Sequence, residues 1–144
     1  MPKSTVSPVE ALRRYKVIAV VGASRDEKKD AHTVPRYMKD RGYEIVPVNP
    51  TAQEILGERA YPNLLEIPKD LASRLEIVEV FRPSEELPNV SRQVVELKRR
   101  YGRPYVFWAQ LGLQSDEAAR ILDAAGVQYV MDACMRTVHR ISVE

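Results

Sequence analysis

The stretch Lys16–Arg25, KVIAVVGASR, runs through five consecutive apolar residues, Val17–Val21, into one glycine and then turns polar. A continuous β-rich run ended by glycine is the pattern of a strand buried on both faces. Small polar residues after such a strand mark the place where nucleotide-binding sheets put a phosphate loop. The dinucleotide fingerprint needs three glycines at this turn, and the chain supplies only Gly22.

Four more runs of the same kind follow: YEIVPVNP from Tyr43, LEIVEVF from Leu75, PYVFWAQ from Pro104 and VQYVM from Val127. Helical patterns separate most of them. In TVPRYMKDRG the spacing puts Val34, Tyr37, Met38 and Arg41 on one face, with Thr33 as N-cap and Pro35 in the first turn. The loop before that helix is then about ten residues long, unlike the tight dinucleotide turn. In SEELPNVSRQVVELKRRYG it puts Val90, Val94 and Leu97 together, with Pro88 tolerated near the start. SDEAARILDAAG opens on Ser115 as N-cap, with acids in its first turn. Ahead of the first strand, Ser7-Pro8-Val9-Glu10 reads as a capped helix start with a capping box.

Gly42, Gly102 and Gly126 each fall between a helix and a strand, where a left-handed C-cap favours glycine. The alternation predicts one α/β domain over residues 1–144, Rossmann-like, with a five-stranded, mostly parallel, doubly wound sheet flanked by helices. The segment from Thr51 to Arg74 is irregular, with a short helix expected around Asn63 to Ile67.

Composition bounds the function. The chain has 144 residues, 44% hydrophobic and 29% charged, with net charge +2, which gives no argument for nucleic acid or a membrane surface. The lone cysteine, Cys134, excludes an internal disulfide and suits a reducing compartment. No apolar run reaches the ~20 residues that span a bilayer, and MPKSTVSPVEALRRY lacks the apolar centre of a signal peptide. A soluble, cytoplasmic protein is expected.

Ligands of such sheets sit beyond the carboxyl ends of the strands. There Gly22 allows close backbone approach, the amides of Ala23 and Ser24 and the Ser24 hydroxyl are phosphate donors, and Arg25, Lys28 and Lys29 add positive charge. A plain turn with a solvated charge run is the alternative. After the second strand, Pro47-Val48-Asn49-Pro50-Thr51 carries no carboxylate for a ribose hydroxyl, which moves the balance from NAD towards NADP or coenzyme A. Arg82, at the end of the third strand, presents a fork suited to phosphate unless Glu85 or Glu86 pairs with it.

Five pieces carry a resemblance: VVGAS at Val20–Ser24, GYEIVPVNP at Gly42–Pro50, VFRP at Val80–Pro83, WAQLG at Trp108–Gly112 and VMDACM at Val130–Met135. Together they resemble the small coenzyme A-binding proteins, a family similar to the nucleotide-binding domain of the succinyl-CoA synthetase alpha subunit. The likeness runs from about Tyr15 to His139. It implies a Rossmann-like fold that binds coenzyme A non-covalently. Gly22, Ala23 and Ser24 would line the diphosphate, Asn49 and Pro50 would border the adenosine, and Phe81 with Arg82 would flank the ligand. Gln110 and Gly112 would lie nearer the pantetheine arm. The synthetase subunit uses a phosphorylated histidine from a further domain that this chain lacks, so ligase activity is not implied.

No catalytic or metal site is legible. Cys134 and His139 form a nucleophile–base spacing without a third, orienting group, and the simpler expectation is a small buried thiol and a surface imidazole. Tyr37, Tyr43, Phe107 and Trp108 read as core. The leading expectation is a non-catalytic coenzyme A sensor or carrier, its protein partner unknown. The alternatives are an enzyme using coenzyme A or NADP with Cys134 or His32 in chemistry, and an interaction module whose sheet holds nothing. Cys134 and His32 both fall on the mouth side, where the ligand is expected.

Overall fold

The computed structural model describes residues 4–144; the first three residues of the N-terminal stretch lie outside the described residues. Five parallel strands form the main sheet: β1 (Val17–Val21), β2 (Glu44–Val48), β5 (Ile77–Val80), β6 (Val106–Ala109) and β7 (Gln128–Val130). Their order is β2-β1-β5-β6-β7. From β1 the chain winds outward to β2, then crosses back to β5 and winds the other way. The reversal lies between β1 and β5, so their carboxyl ends open a crevice between connections that diverge.

Each strand is buried on both sides because helices cover both faces. Ile18, Val20, Ile77, Val106 and Trp108 pack under α1 (Pro8–Arg14), α2 (Asp30–Asp40) and α6 (Met135–Val138), which continues into a π-helical turn, His139–Val143. Ala19, Val21, Val78, Val80, Phe107 and Ala109 pack under α4 (Leu87–Tyr101) and α5 (Asp116–Ala124). Ser7 caps α1 through the Glu10 amide and Ser115 caps α5 through the Ala118 amide. The Glu10 carboxylate turns to Arg13, 3.4 Å away, and does not close a capping box.

The start of α2 departs from expectation. The helix begins at Asp30 after Lys29, Thr33 lies inside it, and Pro35 is its sixth residue. The loop from Gly22 to Lys29 is therefore eight residues long, counted between the end of β1 and the start of α2. Proline has no N–H for the carbonyl four residues back. That carbonyl, of Ala31, accepts instead from the Ser24 amide at 3.2 Å. A residue that weakens the helix thus ties down the loop beside it. On the same helix Val34 and Met38 are buried, while Arg41, the C-cap just past its end, is exposed and lies over the Tyr37 ring at 3.7 Å.

The irregular segment holds a small antiparallel hairpin, β3 (Glu54–Ile55) with β4 (Glu58–Arg59), absent from the pattern-based expectation. Leu56 and Gly57 turn it with φ of 57° and 74°, the left-handed pair that a two-residue hairpin requires. The short helix expected near Asn63 is a single 3-10 turn, Leu64–Glu66, capped by the Asn63 side chain, and α3 (Lys69–Ala72) follows it.

Candidate functional site

At the carboxyl ends of β1, β2 and β5 lies a cleft of about 560 Å³. Its floor is the loop Gly22–Ser24. Gly22 sits at φ +85°, and a Cβ there would stand 2.9 Å from both the Phe81 carbonyl oxygen and the Arg82 Cδ. Only glycine lets β1 and β5 close together at this point. Its amide donates to the Val48 carbonyl at 3.0 Å, joining the loop to β2 as well.

Side chains brace the loop. Asn49 Nδ2 donates to the Ala23 carbonyl at 2.9 Å, while its Oδ1 accepts from the Thr51 and Ala52 amides at 2.8 and 2.9 Å. Ser24 Oγ accepts from the Asp26 amide at 3.0 Å, and Asp26 Oδ1 accepts from the Lys28 amide at 3.0 Å. His32, buried, donates from Nδ1 to the Ser24 carbonyl at 2.7 Å. This contact sets the tautomer, because a carbonyl can only accept.

These bonds revise the role of several residues. The Ser24 amide is engaged with Ala31 and is not a free phosphate donor. The Asn49 amide holds the loop together. Both residues still line the cleft, along with Gly22, Ala23, Lys29, Pro50, Phe81 and Arg82. Arg25, Lys28, His32 and Gly112 line neither this cleft nor the pocket beside it. Arg25 and Lys28 project from the exposed turn, and the Gly112 amide donates to Asp132 Oδ1 at 2.7 Å. The Arg82 fork is taken by Glu86, Nε to Oε1 at 3.2 Å and a terminal nitrogen to Oε2 at 2.9 Å.

Beside the cleft, sharing Lys29, Ala31 and Phe81 with it, is a smaller pocket of about 350 Å³ lined also by Gln110, Leu111 and Cys134. Gln110 is buried, and its Oε1 accepts from the Met135 amide at 2.9 Å, locking the start of α6 to the end of β6. Cys134 is half-buried, not enclosed. Burial pushes its thiol up, but hydrogen bonds from Thr137, Gln110 and the Arg136 amide together bring it below its ordinary value.

Sequence reasoning missed two features. One is the far wall of the cleft, Asn89, Val90 and Gln93 on the first turns of α4, facing Pro62 and Asn63. The other is Glu79, an acid within the apolar run IVEV of β5. It is fully buried, and both carboxylate oxygens lack a hydrogen-bond partner. Burial pushes it well above the usual carboxylate range, and the nearby Cys134 thiol adds to the shift. An acid inside an otherwise apolar strand is itself a legible signal.

His139 is no surface imidazole. It is buried, with Nδ1 3.1 Å from the Tyr37 hydroxyl and its ring edge-on to Tyr43. Its imidazole is turned to tyrosines, not to Cys134. No cluster of metal-ligating residues occurs among the described residues, and no helix of the described chain is long and apolar enough to cross a membrane.

The chain has relatives both in sequence and in structure. The model of a CoA binding domain matches residues 16–140. The uncharacterized protein YneT of Bacillus subtilis (strain 168) is 41% identical over 133 residues, covering 92% of each chain. The ADP-forming acetate–CoA ligase I of Archaeoglobus fulgidus is 32% identical over 88 residues, 61% of this chain but only 13% of the ligase. The structure of cell-free ID.343 from Thermus thermophilus superposes with a TM-score of 0.80 at 34% identity, covering 94% of this chain and 98% of that one.

Proposed function

This chain belongs to the CoA binding domain family, and from that premise we propose that it is a single-domain, non-catalytic carrier or sensor of coenzyme A. The observation that supports this most is that cleft and pocket adjoin, sharing Lys29, Ala31 and Phe81 in their linings. A nucleotide with a long thiol-ended arm needs such a pair of neighbouring spaces. The diphosphate lies over Gly22–Ser24, with Lys29 supplying charge that Arg82, paired to Glu86, does not supply freely. Adenosine lies between Pro50 and the α4 wall. The pantetheine arm passes Phe81 towards Gln110 and Cys134. Arg25, Lys28, His32 and Gly112 support this arrangement from outside the lining. A cytoplasmic setting suits the free thiol.

Titration calorimetry with coenzyme A, acetyl-coenzyme A, NAD and NADP tests the proposal. Coenzyme A is expected to bind at least about tenfold more tightly than NADP, or about 1.4 kcal/mol. Equal binding of NADP would overturn the ligand assignment.

The lowered Cys134 thiol favours a second reading, chemistry at the ligand's sulfur. With coenzyme A bound and a mild two-electron oxidant present, Cys134 and the ligand thiol would lose two protons and two electrons to form one disulfide. Intact mass should show an adduct that reductant removes and that Cys134→Ser never forms. If no adduct forms while the ligand is bound, Cys134 is a packing residue.

A further inference from the structure

Glu86 brings a carboxylate into a cleft that otherwise offers cations. Lys29, Arg82 and Glu86 are the charged residues of the lining, and Glu86 engages the Arg82 guanidinium through both of its oxygens. The pair is half-exposed on both sides, so it adds little to the stability of the fold. Its effect on a ligand is different in kind. The Arg82 stem lies against Gly22, close enough that a Cβ on that glycine would meet its Cδ at 2.9 Å. The Arg82 side chain thereby runs from the Gly22 loop to Glu86, the N-cap of α4, and any phosphate that approaches the guanidinium also approaches the Glu86 carboxylate.

We propose that Glu86 is a specificity-determining residue: it withholds the Arg82 fork from ligand phosphate and so limits how strongly the cleft favours highly phosphorylated nucleotides. This rests on the coenzyme A reading. Phosphate grip then depends on the loop and on Lys29, the lining cation for which no carboxylate partner is found among the described residues. Two like charges beside one guanidinium compete for it, and removing the fixed one leaves the fork to the ligand. Neutral parts of the ligand gain nothing from that removal.

The test measures affinities of coenzyme A, ADP and adenosine for the wild-type chain, Glu86→Gln, Arg82→Gln and the double variant, at low and high salt. Glu86→Gln is expected to bind coenzyme A and ADP about fivefold more tightly at low salt, the scale of an exposed charge pair. Adenosine, which carries no phosphate, is expected to bind unchanged. The gain should shrink as salt rises and vanish when Arg82 is also replaced. Unchanged or weaker binding of ADP by a folded Glu86→Gln variant would overturn the proposal, as would a gain that persists without Arg82. Wild-type protein that binds ADP but not coenzyme A would overturn the coenzyme A reading alone, because the Glu86 comparison still reads out with ADP. Failure to bind either nucleotide would overturn both.

Discussion

The two halves of the crevice are built by different means. On the loop side, Gly22–Ser24 is held by main-chain bonds to Val48 and Ala31 and by the Asn49 side chain. Little there can move, and the surface offered to a ligand is backbone in a fixed shape. On the thiol side, the surface is made of side chains: Phe81, Gln110, Leu111 and Cys134. Beneath that side lies an unpartnered acid, Glu79. Under the binding mode proposed above, the contrast separates a region that would recognise by shape from one whose charge state can change. Fixed backbone suits a diphosphate, whose geometry does not vary. Titratable side chains suit the end of a ligand that carries a thiol.

The sharpest way to break the comparison is at Gly22. Replacing it by alanine puts a Cβ 2.9 Å from the Phe81 carbonyl at a φ of +85°. The left-handed conformation and the forced contact together should cost about 3 kcal/mol of stability. The loss would appear as a lower urea midpoint, along with lost coenzyme A binding. A Gly22→Ala chain as stable as wild type would show that β1 and β5 do not meet so closely.

Glu79 tests the other half. Burial holds its folded pKa well above the ordinary carboxylate value of 4.5, so the folded chain holds that proton more tightly than the unfolded one. Its contribution is fully present below about pH 4.5 and is lost as pH rises through the folded pKa. Glu79→Leu, which removes the buried polar group, should raise stability at neutral pH by about 2 kcal/mol. Glu79→Gln should flatten the pH dependence. A less stable Glu79→Leu chain would mean that the carboxyl is satisfied in solution.

A smaller effect is expected behind α6. Burial, first, and the neighbouring Arg41 and Lys16 hold the His139 pKa below 6.5, against an opposing pull from Glu144. The folded chain prefers the neutral ring. Its stabilisation is therefore present above pH 6.5 and declines as pH falls through the folded value. His139→Phe should lose that component of acid sensitivity, read from thermal midpoints between pH 5 and 8. An identical pH profile in the variant would remove His139 as its source.

Pro35 gives the finest distinction. In Pro35→Ala the new amide competes for the Ala31 carbonyl, which now accepts from Ser24. The helix gains a bond and the unfolded chain gains freedom, so net stability should change by less than about 1 kcal/mol. Hydrogen exchange at the Ser24 amide should nonetheless quicken. Unchanged protection at Ser24 would show that the loop holds itself without the proline.

By itself the sequence determined the alternation of strands and helices, the five strands of the main sheet, and the place of the loop after β1. Continuous apolar runs and glycine C-caps are local signals, and local signals survive in one dimension. The same is true of the caps at Ser7 and Ser115. What the tertiary structure alone decided are the pairings between residues far apart in the chain or joined by geometry. The hairpin at Leu56–Gly57, the α4 wall of the cleft and the turning of His139 to Tyr37 belong to this group. So does the engagement of groups that looked free: the Ser24 amide by Ala31, the Asn49 amide by Ala23 and the Arg82 fork by Glu86. A residue type announces which bonds it can make, but only the folded chain brings donor within about 3 Å of acceptor and so decides which bonds are made.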